Sequence, residues 1–147
     1  MRLSTRSRYG MRAMLVLSLE YGRGPVMAKE IAARQNVPIS YLEQLLAQLA
    51  KAQLVTSTRG AHGGYELARP PAEISAAEVL GVLEGPLDLA ECKGVSCDKQ
   101  PESCALRTLW QHGSAALRQA FEGVTLDRLA ADQRSRSVAT EAWAYSI

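Results

Sequence analysis

The most constraining feature of the sequence is a change of hydrophobic period near residue 53. Before it, four leucines follow the i, i+3, i+4, i+7 spacing that places apolar side chains on one face of a helix: Leu42, Leu45, Leu46 and Leu49. After it, the short runs 54–57 and 65–67 have the strand period of two. The segment TRGAHGG (58–64) separates these runs and predicts a β-hairpin turn whose glycines adopt positive φ angles. A helix followed directly by a small hairpin is compatible with few folds.

Two further helices are predicted before the leucine-rich one. Residues 4–20 have a period near 3.6, and the glycine and proline residues of YGRGP (21–25) end that helix. Ala28–Gln35 predicts a short second helix, NVP (36–38) a tight turn, and Ser40 begins the third helix. This order is the helix-turn-helix pattern, and the hairpin makes it a winged helix-turn-helix that ends near residue 70. We therefore predict a mainly α fold.

The second half of the chain predicts a long helix after an irregular loop. A helix capped by Ser75 is expected up to residue 84, and residues 88–103 show no periodicity. The helix expected over 102–124 carries an apolar stripe formed by Leu106, Leu109, Trp110, Gly113, Leu117, Ala120, Phe121 and Val124. Because so small a protein cannot easily cover this stripe, we predict a dimerisation helix and hence a homodimer. The alternative is the central helix of a monomer.

Charge is divided unevenly along the chain. Residues 1–70 contain ten Lys and Arg residues and four acidic residues, a net charge of +6, whereas residues 71–147 carry −4. This pattern favours a module that binds a polyanion, attached to a region with another role; ordinary charge scatter is the alternative. We expect a DNA-binding region over 1–70, a cysteine loop and dimerisation helix over 71–132, and a tail over 133–147, with a short helix at 125–132. With neither a membrane-spanning run nor a secretory signal in the sequence, a cytoplasmic location is expected.

The third helix supplies the candidate DNA-binding residues. With its leucines turned inward, the opposite face presents polar side chains that suit base edges and phosphates in the major groove: Ser40, Tyr41, Glu43, Gln44, Gln48 and Lys51. Glu43 accepts hydrogen bonds only, so it would select cytosine and reject other bases. Alternatively, Ser40 and Glu43 form a capping box. Arg59 at the hairpin tip suits a narrow minor groove.

Three cysteines form the candidate metal site. The stretch CKGVSCDKQPESC places Cys92, Cys97 and Cys104 within 13 residues. Such grouping is typical of metal ligands, and an odd number of cysteines in the cytoplasm argues against a disulfide framework. The spacing alone leaves an iron–sulfur cluster, a zinc site and a thiol switch open.

The chain resembles the Rrf-type family of bacterial winged-helix repressors, which includes the IscR-like and NsrR-like iron–sulfur regulators. The resemblance covers residues 1–132 and rests on MRLSTRSRYG at the start, SYLEQLL (40–46), RGAHGGY (59–65) and CALRTLW (104–110). It implies a homodimer, a palindromic operator in double-stranded DNA, and a cluster on the three cysteines that controls DNA affinity. It also implies DNA contacts for the five residues that match the IscR-like pattern: Ser40, Tyr41, Glu43, Gln44 and Arg59.

The chain departs from that family at the cluster. The middle cysteine lies one position early, and Arg107 occupies the position of the IscR-like histidine ligand, three residues after the last cysteine. A guanidinium group has no free lone pair to donate to a metal. Arg8 stands where NsrR-like proteins have an aspartate ligand. Three cysteines leave one iron without a protein ligand, and this arrangement suits a four-iron cluster better than a two-iron one.

These observations predict a repressor or dual regulator that senses iron, cluster or redox status. No catalytic constellation is visible in the sequence, so we do not expect an enzyme. The alternatives are a winged-helix protein-interaction module, a zinc-stabilised regulator without redox sensing, and an electron-transfer protein.

Overall fold

The structure is a computed structural model that describes residues 3–90 and 104–144, with side chains described as far as residue 138. These residues contain six α-helices and one two-stranded sheet. In chain order the elements are α1 (Thr5–Leu19), α2 (Ala28–Gln35), α3 (Ile39–Lys51), β1 (Val55–Thr58), β2 (Gly64–Leu67), α4 (Ala76–Glu84), α5 (Ala105–Glu122) and α6 (Leu126–Ala144). The predicted mainly helical winged fold is confirmed.

The turn between α2 and α3 has the conformation expected of a helix-turn-helix. Asn36 ends α2 in the left-handed region, at φ 53° and ψ 50°, which asparagine tolerates better than most residues. The backbone N–H of Val37 then donates to the carbonyl of Ala32 at 3.2 Å and closes the turn. Pro38 is the N-cap of α3, so this helix begins at Ile39, one residue before the predicted start.

One hydrophobic core joins the two halves of the chain. The four leucines of α3 are at most 1% exposed, and Met14 and Leu17 of α1 lie in the same cluster. Val79 of α4 and Leu126 of α6 also belong to it. The predicted division at residue 70 therefore does not separate two cores, although different functions for the two regions remain a prediction.

The hairpin forms the predicted wing, but its glycines act in two different ways. The strands pair antiparallel, from Val55 opposite Leu67 to Thr58 opposite Gly64. Only Gly60 of the loop's glycines has a positive φ, at 114°, so that expectation was wrong for Gly63 and Gly64. These two are needed for close approach, because a Cβ atom on either would overlap backbone atoms.

The C-terminal helices differ most from expectation. α5 runs from Ala105 to Glu122, inside the predicted bounds. α6 has 19 residues and continues to Ala144, so the expected short last helix was wrong, and α6 is slightly longer than the 18-residue α5. Backbone hydrogen bonds from Ala76 to Val124 (2.8 Å) and from Leu126 to Ile74 (3.0 Å) fix the start of α6 beside α4.

Candidate nucleic-acid interface and cysteine site

The outer face of α3 is exposed as the leucine pattern predicts. Ser40, Glu43 and Gln44 are exposed, whereas the leucines on the other side of the helix are buried. Lys51 follows on the last turn of the same helix and is also exposed. The helix therefore presents hydroxyl, carboxylate, amide and ammonium groups on one side, a set that can meet both base edges and phosphates.

Glu43 does not cap its helix. The N-cap is Pro38, and no side chain makes a capping hydrogen bond at this end of α3. The alternative interpretation of Ser40 and Glu43 as a capping box is therefore wrong. Both side chains lie on the exposed face within the first two turns of α3, where recognition helices contact bases.

Tyr41 is held more firmly than the sequence suggests. Its side chain is half-buried against the core, and its ring lies edge-on to that of Tyr9 in α1, with centroids 6.2 Å apart and an interplanar angle of 89°. The guanidinium of Arg12 lies 5.8 Å from the Tyr9 ring centroid, within range of a cation–π interaction. Tyr41 therefore also anchors α3 to α1.

The wing is attached to the helix-turn-helix at two points. The N–H of Leu54 donates to the carbonyl of Leu49 at 3.0 Å, so β1 follows α3 with almost no slack. Val26, which precedes α2, exchanges two backbone hydrogen bonds with Tyr65 of β2, at 2.9 and 2.8 Å. Sequence reasoning missed this pairing, although the adjacent glycines at 63–64 were a signal of close backbone approach. The two strands are thereby anchored beside the helix-turn-helix, and Arg59 lies in the loop that follows β1.

Ion pairs neutralise some of the basic side chains in residues 3–70. Arg34 pairs with Glu20 (3.3 Å) and Glu30 (2.5 Å), and Arg23 pairs with Glu20 (3.4 Å). No ion pair within residues 3–90 and 104–138 involves Arg59 or Lys51, and both are exposed. Their positive charges remain available to a polyanion.

Only one of the three candidate ligands lies in the described part of the chain. Cys104 is the half-buried N-cap of α5, and no side-chain hydrogen bond caps this end of the helix. Cys92 and Cys97 lie outside the described residues. Among the described residues, no group of three or more His, Cys, Asp or Glu side chains could hold a metal ion. A cysteine at a helix N-terminus lies where the helix dipole favours a negatively charged ligand atom.

Arg107 lies one turn after Cys104, and its backbone N–H donates to the Cys104 carbonyl at 3.1 Å. Its side chain is half-buried and lines a cavity of about 300 Å³ together with Asp88, Trp110 and Arg118. The position expected to hold a histidine ligand therefore holds a cation beside the first turn of α5.

The comparison with known proteins decides the family. A profile described as "Iron-dependent Transcriptional regulator" matches residues 3–132. The chain belongs to the Rrf2 family. Membership of this family confirms the predicted general role as a transcription regulator. Its named relatives are regulators rather than enzymes. None of the described helices is long and apolar enough to cross a membrane.

Rrf2 relatives of two kinds resemble this chain. The regulator CymR of Bacillus subtilis is 41% identical over 88% of this chain and 90% of its own length. The structure of CymR, the global cysteine regulator of B. subtilis, has a TM-score of 0.76 and covers 89% of this chain and 97% of CymR. The regulator IscR of Aliivibrio salmonicida is 36% identical over 94% of this chain and 82% of its own. The structure of T. potens IscR has a TM-score of 0.74 at 36% identity and covers 90% and 88% of the two chains.

In this Rrf2 protein the apolar stripe of α5 is largely uncovered. Leu106 is 57% exposed and Leu109 is 56% exposed, and Ser114 is the only residue of this helix that is buried. The Ser114 hydroxyl accepts a hydrogen bond from the N–H of Leu89 at 2.9 Å, which ties the start of the cysteine loop to α5. This stripe is available for contact with a second copy, and dimerisation through it stays a prediction.

A carboxylate that the sequence did not single out joins α1 to α4. Glu84, the last residue of α4, accepts hydrogen bonds from the N–H of Ser4 (3.0 Å), from the hydroxyl of Ser4 (2.6 Å) and from the hydroxyl of Ser7. The hydrogen bonds from Ser4 and then Ser7 hold the pKa of Glu84 below its ordinary value. The chain enters the cysteine loop a few residues later, so this junction connects that loop to the DNA-binding unit.

Proposed function

We propose that this Rrf2 protein is a homodimeric repressor or dual regulator. It binds a palindromic operator through α3 and the wing, and an iron–sulfur cluster on Cys92, Cys97 and Cys104 controls its affinity. One observation carries the proposal. The same small fold contains an exposed α3 face, a wing attached at two points and a cysteine, Cys104, at the start of α5.

The DNA-binding part rests on exposure and charge. Ser40, Glu43 and Gln44 are exposed on one face of α3, and Arg59 is an exposed cation outside any described ion pair. The double attachment of the wing anchors its strands beside the helix-turn-helix, so α3 and the loop that carries Arg59 could meet one duplex together. Half-buried Tyr41 would position α3 and contact DNA with the part of its side chain that remains accessible.

The cysteines fit an iron–sulfur cluster in three of its ligand positions. Thiolates are the usual ligands of such clusters, and Cys104 lies at a helix N-terminus, which favours a negatively charged sulfur. Arg107 does not fit as the fourth ligand. When bound, the cluster would link the cysteine loop to the start of α5, and this link would depend on iron and on oxidants. We expect a four-iron form. The chain's own contribution is to place Cys104 at the start of α5, the helix to which the hydrogen bond from Leu89 to Ser114 ties the segment before the cysteine loop.

The proposed dimer would match the two-fold symmetry of a palindromic operator. If two copies bury the stripe of Leu106 and Leu109, two-fold symmetry places two α3 helices on equivalent half-sites. We retain the functional division into residues 1–70 for DNA, 71–132 for cluster and dimerisation, and 133–147 as a C-terminal extension.

The cluster proposal is tested by DNA affinity in anaerobically reconstituted protein. The operator is first recovered from random-sequence duplexes by repeated selection with the native protein. We expect the affinity for that operator to change when the cluster is removed by air or a chelator. A variant with all three cysteines replaced by alanine should retain no iron or sulfide and show no such response. An unchanged response in that variant would refute cluster control.

The wing is tested by the salt dependence of binding. Arg59→Ala should weaken binding and reduce the slope of log K against log salt by about 1 for each phosphate that is no longer neutralised, or about 2 per dimer. Arg128→Ala, which removes a similar charge from α6, is the matched control and should leave the slope unchanged. Equal slopes for the native protein and Arg59→Ala would show that the wing does not contact DNA phosphates through Arg59.

The likeness to CymR supports a second candidate function. CymR is called a cysteine regulator, and it is as similar to this chain as the IscR proteins are. A regulator of this type would respond to the supply of cysteine or a related thiol. The triple-cysteine variant separates the two functions: a preserved response to thiol supply favours the CymR-like role, and a lost response to iron favours the cluster.

A further inference from the structure

The first residue of α3 is a large apolar side chain that the core does not use. Ile39 is 41% exposed and, among the described residues, belongs neither to the buried core nor to the hydrophobic residues packed against it. It directly follows the N-cap Pro38, so its backbone is already helical. The second helix of the helix-turn-helix, α3, therefore begins with an isoleucine whose side chain is exposed to solvent.

The helical spacing places Ile39 in the same surface as the candidate DNA contacts. Glu43 lies four residues later, and side chains at i and i+4 are neighbours on a helix surface. Ser40 and Gln44 form the adjacent row with the same spacing. The exposed face of α3 therefore starts with one apolar group beside three polar ones.

The major groove offers one common apolar feature to such a side chain. Hydroxyl, amide and carboxylate groups can read the donors and acceptors of base edges, but an isoleucine can only make van der Waals contact. Among the four bases, thymine alone presents a methyl group, at C5, in the major groove. The N-terminal residues of a recognition helix are also those that reach base edges.

We propose that Ile39 reads a thymine methyl group in each half-site of the operator, and is a specificity-determining residue of this protein. The inference rests on the proposed binding of DNA through α3. It adds an apolar determinant to that hydrogen-bonding face and predicts which base must lie opposite the start of the helix.

The test removes the methyl group from the DNA rather than from the protein alone. In the operator selected with the native protein, each thymine is replaced in turn by deoxyuridine, which keeps the base pairing and lacks only the methyl group. At one position per half-site, native affinity should fall about fourfold, and about 16-fold when both half-sites are changed, as expected for loss of one buried methyl group each.

Variants of Ile39 then assign the effect. Ile39→Val keeps a branched apolar side chain and should keep most of the preference for thymine over deoxyuridine. Ile39→Ser should bind both duplexes equally. Met27→Ala is the matched control, since Met27 is another exposed apolar side chain of this unit but lies outside α3, and it should retain the full preference.

The outcomes separate this inference from the function on which it rests. A native protein that enriches no DNA motif would overturn both. A clear motif in which no deoxyuridine substitution weakens binding would overturn the role of Ile39 alone. The same holds if Ile39→Ser retains the preference for thymine, or if Met27→Ala loses it.

Discussion

The hydrogen bonds to Glu84 are expected to make a large contribution to stability, and Glu84→Ala removes them together. The carboxylate accepts from Ser4 twice and from Ser7 once, and it joins the first turn of α1 to the end of α4. Ser7 is 0% exposed, so water cannot easily replace its lost acceptor. Ser4 is half-buried and closer to solvent.

The expected magnitude follows from these environments. A hydrogen bond to a charged group contributes about 1.5–3 kcal/mol, and a buried group left unsatisfied costs about 1–3 kcal/mol. Since water can satisfy Ser4, we expect Glu84→Ala to lower the free energy of unfolding by about 2–4 kcal/mol. Glu84→Gln loses the charge and replaces one acceptor oxygen by an amide donor but keeps the other oxygen, so about 1–2 kcal/mol is expected. In a chain of this size 1 kcal/mol corresponds to about 2–4 °C in Tm.

The lowered pKa of Glu84 also predicts how this stability depends on pH. The unfolded carboxyl has its ordinary pKa of 4.5, and the folded one a lower pKa. Between these two values the unfolded state binds more protons, so stability rises with pH. The contribution is fully present above pH 4.5 and is lost as the pH falls through the folded pKa. Glu84→Gln should therefore lose less stability than the native protein on acidification.

Urea denaturation followed by circular dichroism measures both effects, at one fixed protomer concentration because dimerisation also changes apparent stability. The matched control is Glu73→Ala, which removes an exposed carboxylate that accepts no hydrogen bond in the described residues. We expect the control to stay within about 0.5 kcal/mol of the native protein. If Glu84→Ala were equally close, the argument from the buried Ser7 hydroxyl would be wrong.

Three further substitutions test other parts of the structure. Leu109→Asp should convert the proposed dimer to a monomer in light scattering, because a charge would enter the stripe that the second copy is expected to cover; a dimer that persists would place the interface elsewhere. Gly64→Ala should destabilise the protein by about 1–3 kcal/mol in thermal unfolding, since its Cβ would overlap the Val26 backbone, whereas Gly81→Ala has open space and should not. Arg107→His should prolong retention of iron and sulfide in air by adding a ligand at i+3 from Cys104; faster loss would instead show that the positive charge of Arg107 supports the cluster.

The sequence predicts the helix-turn-helix well because each of its boundaries has a local chemical cause. Glycine and proline end α1, Asn36 adopts the left-handed conformation after α2, and four leucines define the inner side of α3. The outer face follows from the same pattern. The polar residues proposed to meet DNA could therefore be named before their exposure was known.

The features that the sequence did not predict depend on contacts between distant residues. The pairing of Val26 with Tyr65 and the hydrogen bonds from Ser4 to Glu84 join segments about 40 and 80 residues apart. The residues after 132 have no apolar stripe, yet α6 continues through them, with its first turns packed against α1 through buried Leu126 and Ala130. Packing of these turns provides the nucleus from which the helix extends.

The position of Cys104 limits how any signal can reach the DNA, whichever ligand the cysteines hold. This residue caps α5, and Leu106 and Leu109 of the expected dimer surface lie within the next two turns. Because a helix moves as a rigid unit over such a distance, a shift at the cysteine would change the dimer surface as well. In the proposed dimer, the spacing of the two α3 helices on a palindrome would depend on that surface. We therefore expect Leu109→Asp to abolish the effector response together with dimerisation, even when the single DNA-binding unit remains folded.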